Sequence, residues 1–164
     1  MKRLAQISGL AFLIFVLISG CKDNPTDPYE NLPAKPVIKK TTNNYTAEKL
    51  RELFPDTASW NSMSRAYSNN YSEDIRNKIN EYLKSEVGRM GENQNLFESI
   101  LARTGCREEG NYILPVYAER ARFENNEAWI VQFTYGLGQP EFGHYKYLAY
   151  SVPELDTLFY TSCR

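Results

Sequence analysis

Apolar positions along this chain change their spacing three times, and each change marks a different kind of segment. Leu10 to Ile18 are apolar without interruption. From Lys22 to Asn44 apolar residues become sparse and Pro25, Pro28, Pro33 and Pro36 punctuate the chain. After Tyr45 they recur every three or four positions, and after Gly110 every second position, with β-branched and aromatic residues dominating. The first spacing of the globular part predicts helices, the second strands.

Four helices are expected. Thr46 is placed to cap the first, with Tyr45 able to staple onto Leu50, and Pro55 ends it near Phe54. A second runs from Asp56 with Trp60, Met63 and Tyr67 on one stripe. The third follows Ser72, with Ile75, Ile79, Tyr82, Leu83 and Val87 on one face and an Asp74 to Lys78 pair on the other. The fourth covers Gln94 to Thr104, with Leu96, Phe97, Ile100 and Leu101 on one side and Gly105 at the left-handed position beyond its end. Four strands are expected at 113–124, 127–135, 144–152 and 157–163. Asn125-Asn126 suits a two-residue hairpin turn, because Asn tolerates positive φ. The reading is an α+β domain over residues 45–164, its helices packed on one face of a four-stranded antiparallel meander. The element order is similar to that of cystatin-like and PepSY-like domains.

The N-terminus carries the most specific signal. Lys2 and Arg3 precede the apolar run, which is too short for the roughly 20 residues that span a bilayer. It ends in Leu17-Ile18-Ser19-Gly20-Cys21, which resembles a bacterial lipobox. That resemblance implies a diacylglyceryl group on the Cys21 thiol, cleavage before Cys21, an acylated amine, and attachment to a membrane through this lipid. Residues 1–20 are then the signal peptide and 21–44 a Pro-rich tether. By the same resemblance, the absence of Asp at position 22 implies the outer membrane, and Cys21-Lys22-Asp23 is similar to signals that direct lipoproteins to its outer surface.

Charge and cysteine count narrow the rest. Without residues 1–20 the chain has 144 residues, and 17 Lys and Arg against 20 Asp and Glu give a net of −3. One domain of that size buries a real core, and a charge of that sign excludes a general nucleic-acid binder. With Cys21 lipidated, Cys106 and Cys163 remain, and outside the cytoplasm an even remainder of two implies one disulfide. A single His and no C-x-x-C leave nothing that resembles a structural zinc site, and no cofactor is expected.

Candidate chemistry is thin. His144 has no nucleophile elbow near it in sequence, and a strand histidine is the simpler reading. Glu108, Glu109, Glu119, Glu124 and Glu127 supply carboxylates, which a hydrolase would need as a pair lining one pocket. Gln132-Phe133-Thr134-Tyr135-Gly136 resembles the Q-x-V-x-G segment with which cystatins plug protease clefts, Thr134 replacing Val. An inhibitor of that kind requires residues 136–143 to project as a wedge. Asp56-Thr57-Ala58 and Asp156-Thr157-Leu158 are similar to a short bacterial O-glycosylation sequon. The Asn125-Asn126 turn would set Trp129 opposite Arg122 and beside Arg120, and unpaired arginines stay in water. Trp129, Arg120 and Arg122 are therefore the expected ligand-binding patch, for a protein or glycan partner. The overall expectation is a membrane-anchored envelope lipoprotein carrying a non-catalytic binding or envelope-associated module, with a cystatin-like inhibitor and a carboxylate hydrolase as alternatives.

Overall fold

The computed structural model describes residues 27–53, 57–103, 111–137 and 142–163. Its elements run β1 (Val37–Tyr45), α1 (Ala47–Glu52), α2 (Thr57–Ser68), α3 (Glu73–Arg89), α4 (Gln94–Arg103), β2 (Asn111–Phe123), β3 (Asn126–Leu137), β4 (His144–Ser151) and β5 (Thr157–Cys163). The helices start where local chemistry dictates. Thr46 Oγ1 accepts from Lys49 N, Ser72 Oγ accepts from Ile75 N at 3.1 Å, and Asn93 Oδ1 accepts from Asn95 N and Leu96 N at 3.0 and 3.1 Å. Each side chain thereby satisfies amides that have no partner within the helix. The expected Asp74–Lys78 pair forms at 2.8 Å. Gly105 lies outside the described residues.

The class is α+β, but the sheet differs from the expected meander. β2 to β5 form the antiparallel order, and β1 adds a fifth strand, parallel to β2, so the sheet is mixed with order β1-β2-β3-β4-β5. The added strand comes from the segment read as tether. Leu32 is already buried, the Ala34 carbonyl accepts from the Tyr67 hydroxyl, and the Lys35 ammonium sits 5.7 Å from the centre of the Tyr82 ring. The chain therefore joins the domain near Leu32 rather than at Tyr45.

A second correction concerns the faces. Every side chain from Ala128 to Thr134 and from Tyr145 to Tyr150 is buried, which requires cover on both sides of the central strands. Leu50 of α1 packs with Ala121, Phe123, Ala128, Ile130, Tyr147, Ala149 and Phe159 on one face. Ser64 of α2 hydrogen-bonds Thr134 and Tyr145 on that same face, at 3.0 and 2.8 Å. On the opposite face Phe97 of α4 stacks against Trp129, ring centres 4.7 Å apart. Helices placed on one face only would have left half of these apolar side chains in water.

The β2–β3 hairpin turns one residue earlier than expected. Glu124 and Asn125 take the positive φ values, 48° and 69°. Asn44 of β1 holds the turn, its Oδ1 accepting from Asn125 N at 3.0 Å and its Nδ2 donating to Asn125 Oδ1 at 2.8 Å. The pairing moves by two residues, so Trp129 lies opposite Arg120 and Arg122 opposite Glu127. From Tyr117 to Phe123 the slip is even and leaves the side chains on their expected face. Beyond a further register shift between Pro115 and Tyr117 the offset becomes odd, and residues 111–115 exchange faces relative to β3.

Candidate functional site

Arg120, Arg122 and Trp129 share a face, yet they do not form an exposed patch. Trp129 is 1 % exposed and belongs to the core with Phe97. Arg120 is 9 % exposed because it is fully engaged, not because an unpaired charge was buried. Its Nε lies 3.3 Å from Glu92, its Nη2 2.8 Å from Glu127, and its Nη1 donates to the Ala121 and Ala128 carbonyls at 3.2 Å. Lys40 reaches Glu92 at 2.6 Å and Arg122 reaches Glu127 at 3.0 Å. The result is a chain of five alternating charges, Lys40, Glu92, Arg120, Glu127 and Arg122, tying β1, the α3–α4 turn and the hairpin together. The two Arg neighbours, with coulombic attraction from both, hold the Glu127 carboxyl below its ordinary value.

The opposite face carries the most concentrated polar site, centred on Glu119. This carboxylate is fully buried. Its Oε1 accepts from Thr41 Oγ1 at 2.5 Å and Asn43 Nδ2 at 3.0 Å, and its Oε2 accepts from the Tyr45 hydroxyl at 2.9 Å and from the Tyr117 hydroxyl. Lys39 Nζ stands 3.7 Å from Oε2. Burial alone would raise this carboxyl, but the hydroxyl donors and the Lys39 charge outweigh it and hold the group below its ordinary value. Burial and the adjacent carboxylate push the Tyr117 and Tyr45 hydroxyls up, so both stay protonated as donors. Chemically this is an anion satisfied by its own fold.

Next to that cluster on the same face sits Gln132, directly opposite Tyr117 on β2 and Tyr147 on β4. It is buried, and neither carboxamide atom has a hydrogen-bond partner among the described residues. Thr134 and Tyr145 beside it share Ser64 in a short hydroxyl chain.

The other expected residues fall as follows. Glu119 and Glu127 lie on opposite faces of the sheet, so they do not make a carboxylate pair. Glu124 is exposed in the turn. Glu108, Glu109 and Cys106 lie outside the described residues, as does Cys21. Cys163 ends β5, opposite Tyr145. The Gln132–Gly136 segment lies within β3, with Gln132 and Thr134 buried, and residues 138–141 of the expected wedge lie outside the described residues. His144 begins β4 with its ring 5.3 Å from that of Tyr135, and its Nδ1 is buried without a hydrogen-bond partner among the described residues. Asp156 and Thr157 are exposed. Among the described residues no three His, Cys, Asp or Glu converge as metal ligands, and no helix is long and apolar enough to cross a membrane.

Sequence reading missed the Glu119 site because Thr41 and Asn43 lay in the segment assigned to the tether and Tyr45 was read as the staple of the first helix. The available signal was the β-branched content of Val37, Ile38, Thr41 and Thr42 just after Pro36. No family model, curated protein or solved structure matches this chain.

Proposed function

We propose that this chain is a lipid-anchored envelope protein whose α+β domain serves as a non-catalytic binding or envelope-associated module. The observation that carries the reading is Cys21 at the end of the Leu17–Cys21 lipobox-like run, followed by a Pro-rich segment. Two or three acyl chains on one residue anchor stably where a single chain does not. With Leu32 packed on the domain, Lys22 to Asn31 remain as tether. By the lipobox resemblance, Lys22 in place of Asp points to the outer membrane.

The domain's own chemistry supports binding over catalysis. Glu119 is consumed by five donors of β1 and β2, and Arg120 by two carboxylates and two carbonyls. Groups so engaged hold strands together. An inhibitor would project residues 136–143 as a wedge and a hydrolase would set two carboxylates on one side of a cleft; residues 138–141, Glu108 and Glu109 lie outside the described residues, and Glu119 and Glu127 are on opposite faces.

The test is fractionation of cells expressing the native chain and Cys21→Ser. The native protein should stay with membranes after a high-salt wash and enter detergent, whereas Cys21→Ser should be released in soluble form. An unchanged membrane fraction for Cys21→Ser would overturn the anchoring.

A further inference from the structure

We propose that β1 is a separable edge strand, latched onto the sheet by the Glu119 carboxylate, and that its release is local. Four observations lead there. β1 is the one parallel strand, it lies at the sheet edge, and it follows directly from the segment leading to Cys21. Its side chains are mostly exposed, Val37 by 50 %, and Tyr45 packs against the apolar cluster beneath α1, so apolar burial holds its C-terminal end more than the rest. Its register with β2 breaks between Lys40 and Asn44, where regular pairing lapses. Across that break the hold passes to side chains: Thr41, Asn43 and Tyr45 all donate to Glu119.

The groups facing the carboxylate are Lys39 and Tyr45 from β1 and Tyr117 from β2. On the other face of the same strand, Lys40 reaches Glu92. At the far end the Tyr45 carbonyl accepts from Glu124 N at 2.9 Å and Asn44 holds Asn125. These are polar links, and four side chains of the strand, Lys39, Thr41, Asn43 and Tyr45, end on one charge. A strand held in this way detaches when that charge is lost or the strand is pulled, while β2 to β5 keep their own apolar core and antiparallel ladders.

The tether gives this a consequence that rests on the anchoring proposed above. A pull from the lipid meets Leu32 to Pro36 first, then unzips β1 from the Val37–Tyr117 pair toward the Glu119 latch. When both have lifted, the segment free of the domain extends to Tyr45, just ahead of the Thr46 that caps α1, and its maximum reach grows with each residue released. The latch thus sets two distances from membrane to domain.

Hydrogen exchange read by mass spectrometry tests it, on the native chain in detergent and on soluble Cys21→Ser. Glu119→Gln should speed exchange of the 37–45 amides by about tenfold or more, the factor carried by one charge-assisted hydrogen bond. Amides of 126–135 and 144–151 should change less than about twofold, as expected of local opening. Thr41→Val and Asn43→Ala, which keep the carboxylate, should give smaller increases confined to the same strand. They serve also if Glu119→Gln does not fold. Unchanged β1 exchange, or β1, β3 and β4 rising together, would overturn the latch. The soluble form gives this answer independently of lipid, so failure of the anchoring alone would remove the two distances and leave the latch standing.

Discussion

Truncating Trp129 separates a core residue from a binding platform. At 1 % exposure and stacked on Phe97, its removal costs the transfer of a large side chain, the cavity left behind and the aromatic contact. Trp or Phe to Ala changes at such positions cost about 3–5 kcal/mol. For a domain spanning residues 31–164, that lowers Tm by about 10–20 °C. Urea unfolding of Trp129→Ala, followed by far-UV circular dichroism, should show the midpoint falling with the slope unchanged. Tyr160→Ala, at a residue 57 % exposed, is the control and should stay within about 0.5 kcal/mol of the parent. A Trp129→Ala protein within about 1 kcal/mol of the parent would refute the argument from burial and aromatic packing.

Arg120→Ala should cost about 1–3 kcal/mol, because it strips the buried guanidinium from the Ala121 and Ala128 carbonyls and from Glu92 while the half-exposed Glu127 turns to water, whereas Arg122→Ala at the exposed end of the same chain should cost under about 1 kcal/mol; paired denaturation curves check both. The folded Glu119 carboxyl sits below its ordinary 4.5, so its contribution is complete above that value and lost as pH falls through the lower folded one. Stability measured from pH 6 downward should therefore fall less steeply in Glu119→Gln than in the parent. Cys106 and Cys163, 57 positions apart, should resist thiol labelling in the native protein, and reducing them should cost about 4 kcal/mol in the chain-entropy picture; full labelling without reductant would exclude the bridge.

The helices were legible because each carries a strong local signal, a cap at Thr46 or after Ser72 and an apolar stripe such as Ile79, Leu83 and Val87. The antiparallel strands were legible for the same reason, and the misplaced turn kept Tyr117 to Phe123 on their faces, whereas the register shift at Pro115 reversed the start of β2, which no local pattern announces. Three things were not. β1 reads as linker because an edge strand exposes most of its side chains and its partner, β2, lies some eighty residues away. The helices on both faces were hidden because alternation shows only that each face is apolar, not what covers it. Arg120 looked like a surface residue because its partners, Glu92 and Glu127, come from two different elements. Polar sites assembled from distant segments leave no pattern in any one of them, and Glu119 with Thr41, Asn43 and Tyr45 is the clearest instance.

The central claim is that Cys21 is the first residue of the mature chain and carries the anchor. Intact-mass analysis of the protein extracted from membranes in detergent tests it most directly. The account predicts a chain beginning at Cys21 with the added mass of two or three acyl chains, all of it absent from Cys21→Ser. A chain retaining residues 1–20, or one beginning at an unmodified Cys21, would contradict it.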